Sequence, residues 1–559
     1  MPSHEIQTRP LQTPSLDDSA LMTTPHVFVT MADILNLECD AWLLPTDSFL
    51  SIGRHWLRAH ENLQHLAAES CGDDFRAGRL FAQAIMDWDQ TSPLPVLTAV
   101  PNNMAWGPQV VAERLEAFVK AARDTLREPS SHRPYPLLAM PFFGTAGGGA
   151  GRHLGTALRD ILDCVSDLSE RYSVDIVLVL QDRAAFSLAQ KLRREAQAAG
   201  RGWTPLNPQL QGKAVTLGGK AKAGHLVPFL GAGVSVSAGA PTWGQLLERL
   251  RNGIDLKDAS NVDFDRLGPL DHASVLEQMY IDQHGSRAEF EKAVATVVDL
   301  PRYGLAPALL ATLPSTGAIT LNYDRLFEMA CADAHQPRTV LPENVPSVGG
   351  EWLLKLHGSV SKPDTIVLTR DDYLGFNSSR AALSALVKAH LLTHHLLFVG
   401  FGLADDHFHE IVHDVRRAMP SHDPERQQMG TVLSLFDEPH QRLVWSGKLD
   451  ILPMAGSSPN GTTSKDERDA AIQEAGRDME IFLDMTAAYA ADDHSYLLAP
   501  AYTQGLSTDE IELRRTLLSL AMQQQSPATA EVWSVISKTL TNLGFDPDAV
   551  YTDRAVDEN

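Results

Sequence analysis

The sequence predicts an α/β protein whose centre is a doubly wound parallel sheet, preceded by another α/β block and followed by a small helical module. Two observations carry this expectation. Short apolar runs ending in turn residues alternate with stretches of helical period through residues 25–200 and again through 225–456. Two segments whose composition reads as linker, 201–224 and 457–469, separate these blocks from each other and from a helical end. With 559 residues, 44% of them hydrophobic, the chain has material for about three or four domains with real cores.

In chain order, residues 1–24 are polar and rich in Pro, Ser and Thr, and are expected as a flexible tail. Strands are expected at Val27–Met31, Ala41–Pro45, Val96–Val100, Leu137–Pro141 and Asp175–Leu180, with a helix over Gln109–Arg127. Residues 201–224 show little periodicity. In the second block, strands are expected at His225–Leu230, Gly317–Leu321, Trp352–Leu356, Thr365–Leu368, Leu396–Gly400 and Thr431–Phe436. Residues 457–559 open on the linker Ser457–Asp469 and continue with helical patterns over Ala470–Tyr489 and Thr508–Gln523.

Charge and composition narrow the function classes. A net charge of −23 argues against direct nucleic-acid binding and against attraction to an anionic membrane. The four cysteines include no C-x-x-C pair, which gives neither a disulfide framework nor a four-thiolate zinc site and suits a reducing cytoplasm. The first residues lack the basic start and apolar core of a secretory signal, and no apolar run approaches a membrane span. A cytoplasmic location is expected.

Four clusters carry chemistry. The apolar run His225–Leu230 leads straight into Gly231-Ala232-Gly233-Val234-Ser235, and a helical pattern follows from Trp243. Glycines at such a turn let the backbone approach a pyrophosphate. The spacing is not that of G-x-G-x-x-G, since Val236 and then Ser237 follow Ser235 where a third glycine would stand. Further clusters follow later strands: Thr320-Leu321-Asn322-Tyr323-Asp324, Lys355-Leu356-His357-Gly358-Ser359, and Gly400-Phe401-Gly402-Leu403-Ala404-Asp405. Singly, each also reads as an ordinary turn, a satisfied core histidine or a loop. Together they sit at the C-terminal ends of parallel strands, where open sheets hold ligands.

In these residues the chain resembles the sirtuin family, with its G-A-G-x-S and G-x-P, T-x-N-x-D, H-G and glycine-turn motifs in the same order over residues 225–456. The resemblance implies a sirtuin-type sheet with NAD⁺ as substrate. It further implies that Gly231, Ala232, Gly233 and Ser235 hold the pyrophosphate region, and that Asp324 meets the nicotinamide carboxamide. Asn322 would orient the nicotinamide ribose and a water, His357 would be the general base, and the turn Gly400–Gly402 would line the ribose pocket. Two departures matter. Pro241 is followed by Thr242 and Trp243 where deacetylating members have an acidic residue, an aromatic and an arginine, and no cysteine follows Cys331 to build their zinc module. The chain looks instead like bacterial sirtuin-like effectors that hydrolyse NAD⁺ in antiphage defence, with no metal required.

The first block resembles a macro domain, a module for ADP-ribose-like nucleotides, through Asp33-Ile34 and the loop Gly144–Gly151. That resemblance implies adenine recognition by Asp33 and a phosphate cradle at Gly144, Gly147, Gly148 and Gly149. Pro45-Thr46-Asp47 stands where the family has an asparagine pair, which speaks against hydrolysis there. The expected function is regulated NAD⁺ hydrolysis, with an ADP-ribose-like nucleotide as regulator and assembly as a homo-oligomer or with a defence-system partner protein. Two alternatives stay open: a non-catalytic NAD⁺ or ADP-ribose binder that signals to a partner, and an NAD⁺-dependent deacylase or ADP-ribosyltransferase.

Overall fold

The computed structural model describes residues 24–89, 91–100, 107–126, 133–144, 151, 153–254, 262–419, 428–459, 463–523, 530–549 and 551. The expected tail, but for Thr24, and Gly147, Gly148 and Gly149 lie outside them. Two sheets organise the fold. The first contains β1 (Val27–Met31), β2 (Ala41–Thr46), β3 (Ala82–Ala84), β4 (Leu94–Ala99), β5 (Leu137–Pro141) and β6 (Asp175–Leu180) in the order β1-β6-β5-β2-β4-β3. Only β3 runs antiparallel to its neighbour.

The second sheet contains β7 (Leu226–Leu230), β8 (Gly317–Thr320), β9 (Thr339–Leu341), β10 (Trp352–Lys355), β11 (His395–Val399), β12 (Gly430–Ser434) and β13 (Asp450–Pro453). Its order is β13-β12-β11-β7-β8-β10-β9, with every pair parallel. Alternation along each strand decides which layer it feeds. Leu226, Leu230, Leu397 and Val399 join a core shared with the first sheet, whereas Val227, Phe229, Leu396 and Phe398 join a separate core on the opposite face. The sheet is therefore covered on both sides, which explains why its strands read as continuous apolar runs. Chain order reverses about β7, which lies between β8 and β11, and that reversal opens the crevice where such sheets bind ligands.

Three sequence expectations are corrected. Thr365–Leu368 forms no strand: a 3₁₀ turn over Pro363–Thr365 delivers Ile366 and Leu368 into a small helical core with Leu246, Leu276 and Phe290. Residues 201–224 are not an extended linker, because the helix Pro208–Lys222 occupies most of them, with Asn207 capping the amide of Leu210. The end of the chain is not simply a separate module either. Ser464 and Glu467 form a capping box for the helix Lys465–Ala490, which begins inside the expected linker Ser457–Asp469. Its Phe482, Asp484 and Thr486 are fully buried. It packs on Pro208–Lys222 so closely that a Cβ on Gly218 would lie 2.8 Å from the Thr486 carbonyl oxygen.

That helix and the wholly buried helix Leu305–Ala311 join the two sheets through one continuous core. Ions complete the seam. Asp175 accepts both Arg477 (2.8 Å) and Arg133 (3.0 Å), and Arg133 also meets Glu480. Asp484 accepts Arg193, Trp203 Nε1 (2.6 Å), His26 Nε2 (3.0 Å) and the Val29 amide (3.3 Å). The helices Thr508–Ala521 and Ala530–Asn542 form a further small cluster of their own, around Leu498 and Leu540. Among the described residues, no helix is long and apolar enough to cross a membrane.

Candidate functional site

β7 ends at Leu230, and Gly231 leaves it in an extended conformation before a 3₁₀ turn over Ala232–Ala238. Here the glycines are required by contact. A Cβ on Gly231 would sit 2.4 Å from the Gly400 carbonyl oxygen, and one on Gly233 2.7 Å from the Gly400 Cα. Gly400 itself has φ +64°, and a Cβ there would lie 2.2 Å from the Val234 amide nitrogen. The loops after β7 and β11 are thus pressed backbone to backbone at the sheet's reversal, tied by the Gly233 amide to the Gly400 carbonyl (2.9 Å). Gly402 has nothing within 4 Å of its would-be Cβ and leaves open space beside that junction.

After β8 the chain turns on Thr320, whose hydroxyl donates to the Leu230 carbonyl (3.2 Å) and accepts the Asn322 amide (3.0 Å). The Asn322 side-chain amide donates to the Gly231 carbonyl at 3.0 Å and lies 3.4 Å from Ser235 Oγ. Ser235 in turn donates to Asp324 Oδ2 at 3.0 Å. Burial raises the Asp324 carboxyl above its ordinary range, against the opposing pull of Lys355. Lys355 is 1% exposed and clamps the loop from β10, donating to the carbonyls of Tyr323 (3.1 Å) and Asp324 and pairing with Glu328 at 2.6 Å.

His357 follows β10 and is 2% exposed. Its ring meets those of Tyr373, Phe376 and His407 edge-on. Gly358, at φ +95°, lets the chain turn beneath it, where a Cβ would strike the Thr365 carbonyl at 2.2 Å. Burial brings the imidazole down to about 4, with Asp405 pulling the other way, so the ring is neutral around pH 7. His357 Nε2 is buried without a hydrogen-bond partner, and Asp405 Oδ2 stands 3.8 Å away, too far to be one. Asp405 is fixed by its own bonds: it caps the helix Asp406–Ala418 through the Phe408 amide (2.9 Å) and accepts the Tyr373 hydroxyl (3.0 Å).

The expected residues Gly231, Gly233, Ser235, Asn322, Asp324 and Gly400 therefore form one connected set, with Ala232 opening the turn among them. His357 stands at the end of the next strand but one, joined through the Leu356 amide to the Thr320 carbonyl (2.9 Å). The sequence reading missed Lys355, Tyr373, Asp405 and His407. Lys355 and Asp405 lay at the edges of clusters already singled out, while Tyr373 and His407 carry no local signal. The other expected site is on the first sheet. Asp33 and Gly144 follow β1 and β5, which flank β6, at the same end of that sheet. The Asp33 carboxylate is engaged by His55 (3.3 Å) and Arg58 (3.5 Å), and its amide donates to the Tyr303 hydroxyl (3.3 Å).

A doubly wound parallel sheet with backbone-lined loops at its reversal point defines an open α/β class that holds its ligands in that crevice. Residues 316–451 match the family described as "SIR2-like domain". Among curated proteins, "Defense-associated sirtuin 2" of Bacillus subtilis is 30% identical over 207 residues, 35% of this chain and 20% of that protein. "NAD(+) hydrolase ThsA" of Enterococcus faecium is 29% identical over 206 residues, covering 34% of this chain and 40% of its own length. The ThsA of Bacillus cereus (strain MSX-D12) is 28% identical over 199 residues, with 34% and 40% covered. The chain thus spans 20% to 40% of the length of these relatives. Among solved structures, a chain titled "Alphavirus P23pro-zbd" aligns over 32% of this chain at a TM-score of 0.24 and 14% identity, a likeness too slight to bear on the fold.

Proposed function

We propose that the protein hydrolyses NAD⁺ at the nicotinamide–ribose bond, giving ADP-ribose and nicotinamide, as a cytoplasmic effector of bacterial antiphage defence. The observation that carries this reading is His357, a buried and neutral imidazole with an unpartnered ring nitrogen and a fixed carboxylate facing it. A neutral imidazole keeps a lone pair free to accept a proton, and the carboxylate facing it would stabilise the imidazolium against the burial that otherwise disfavours the charge. Asn322 orients water and ribose, and its amide is already tied to Gly231 and Ser235 of the pyrophosphate loop. Water attacks the ribose carbon as the C–N bond breaks, the bonding pair leaves with nicotinamide as a neutral pyridine, and the water's proton passes to His357. Ser235, Asp324, Gly231, Ala232, Gly233, Gly400 and Gly402 bind the dinucleotide. The relatives' names, with NAD⁺ hydrolysis in one and defence in another, support the same reading.

An ADP-ribose-like nucleotide regulates the enzyme from Asp33 and the loop beginning at Gly144, alongside assembly with further copies or a defence partner. A short path supports this: Tyr303 bonds to the Asp33 amide and also donates to Asp333 Oδ2 (2.7 Å), inside the SIR2-like segment.

The test incubates purified full-length protein with NAD⁺, with and without infected-cell extract and acylated peptide, and quantifies nicotinamide, ADP-ribose and O-acyl products. Nicotinamide and ADP-ribose should appear in equal amounts, independent of peptide, and a chelator should not lower the rate. His357→Ala and Asn322→Ala should each lose about 10²–10⁴-fold. Peptide-dependent O-acyl-ADP-ribose, or a His357→Ala protein at the parental rate, overturns the reading.

A further inference from the structure

His357, Asp405 and His407 converge more closely than a lone general base needs. One donor atom from each lies within 4.8 Å of one from each of the others. Two of the three residues hold a buried nitrogen with no partner, Nε2 of His357 and Nδ1 of His407. His407 Nε2 stands 3.0 Å from the Tyr373 carbonyl. A carbonyl only accepts, so that nitrogen carries the proton and Nδ1 keeps its lone pair. The ring is held flat against Phe376 (centroids 3.8 Å apart) and Tyr373 (4.6 Å). Asp405 receives the Tyr373 hydroxyl on Oδ2 and the Phe408 amide on Oδ1.

We propose that His357, Asp405 and His407 form a binding site for a divalent transition-metal ion of the zinc class. Two imidazole nitrogens and a carboxylate, with further positions open, are a donor set that such ions favour and that magnesium does not. Each of Asp405 and His407 is already oriented by a partner behind it, a hydroxyl and an amide for the one and a backbone carbonyl for the other, which is how metal-ligating side chains are commonly supported. Ligands at about 2.0–2.1 Å from a tetrahedral centre are roughly 3.3 Å apart. The 3.8 Å between His357 Nε2 and Asp405 Oδ2 must therefore close by about half an ångström, and the widest separation in the group, up to 4.8 Å, by up to about 1.5 Å, through rotation of the side chains on ion binding. The bound ion takes the lone pair of His357. It therefore inhibits rather than assists hydrolysis, a consequence that rests on the proposed role of His357, whereas the binding itself does not.

The experiment uses the full-length protein stripped with a chelator, dialysed and titrated with zinc chloride alone, followed by calorimetry and by elemental analysis after gel filtration. One equivalent should be retained that His407→Phe and His357→Ala both lose, with at least a hundredfold weaker binding; magnesium should not compete. Substituted cobalt(II) should show the visible spectrum of a tetrahedral site, absent in both variants. His407→Phe keeps the stack on Phe376. Should it nevertheless fail to fold, His357→Ala, which removes a ligand from a different element, decides alone. Equal zinc retention by parent and variants, or none by the parent, overturns the site. Retention without any NAD⁺ cleavage leaves the site standing and removes the hydrolase reading, and cleavage without retention does the reverse. Where both hold, zinc should suppress nicotinamide release by the parent, and chelator should restore it.

Discussion

The seam between the sheets and the C-terminal end of the second sheet both bury carboxylates and histidines, yet they pair them differently. At the seam each buried charge has an opposite charge beside it, although Arg133 Nε and Arg477 Nη1 have no hydrogen-bond partner. Burial alone would raise the Asp484 carboxyl, but Arg193, helped by the His26 hydrogen bond, brings it down to about 2. At the end of the second sheet, His357 Nε2 and His407 Nδ1 are left without partners, and Asp405 is spent on a helix cap and a tyrosine. A satisfied buried charge fixes one arrangement, and an unsatisfied one is available to a ligand. Neither composition nor the count of unmet hydrogen bonds separates the two regions; at the seam the unmet nitrogens belong to arginines already paired with carboxylates, and at the site they belong to imidazoles with no carboxylate in hydrogen-bonding distance.

Removing a charge from the satisfied side should have the largest effect. Asp484→Ala leaves Arg193 buried without its carboxylate and should cost about 3–5 kcal/mol, read as a lowered midpoint in chemical denaturation. A loss below ~1 kcal/mol would mean that the seam is not the closed network drawn here.

Acid should weaken the fold in two stages. His395, beside Lys220 and Thr431, is held by burial at about 4 against an ordinary 6.5. The unfolded chain therefore takes up that proton first, and the stability due to a neutral His395 is complete above about 6.5 and declines as the pH falls towards 4. The buried His357 adds to the same window. Asp484 extends the decline below its ordinary 3.8 towards 2. The melting temperature should fall measurably between pH 7 and pH 4, and His395→Gln should flatten that slope. A melting temperature constant over this range would contradict the assignment.

The smallest effect on stability, and the sharpest on function, is expected at Gly402. Its would-be Cβ meets nothing within 4 Å, so Gly402→Ala should change stability by no more than about 0.5 kcal/mol. If the ribose lies over this turn, KM for NAD⁺ rises several-fold while kcat changes less. Unchanged KM would move the ribose elsewhere.

Much of this was legible in the sequence, and the failures have physical causes. Leu137–Pro141 and Asp175–Leu180 are strands over the residues read for them, because strands covered on both faces are unbroken apolar runs. The strands that went unread, Ala82–Ala84, Thr339–Leu341 and Asp450–Pro453, are short edge strands. Thr365–Leu368 deceived because an apolar run reports burial and not the conformation that achieves it. The helix Pro208–Lys222 was hidden by its glycines, of which Gly218 exists for the approach of Thr486, some 270 residues further on. The glycine turns, Asn322 and His357 were visible as motifs. Tyr373 and His407 were not, since what gives them meaning is a neighbour across space.

The helix Lys465–Ala490 also imposes an order of completion during synthesis. Asp175 waits for Arg477, 302 residues downstream, and the Val29 amide waits for Asp484, 455 residues downstream. At about 5–20 residues per second, a ribosome takes roughly 15–60 s to cover the shorter of these distances. Through that interval the strands of the first sheet, and later Leu226 and Leu230 of the second, have emerged without the helix that closes their shared core. The nascent chain thus presents a broad apolar face until the helix Lys465–Ala490 is made, and the arrival of that helix is what commits both sheets to a single body.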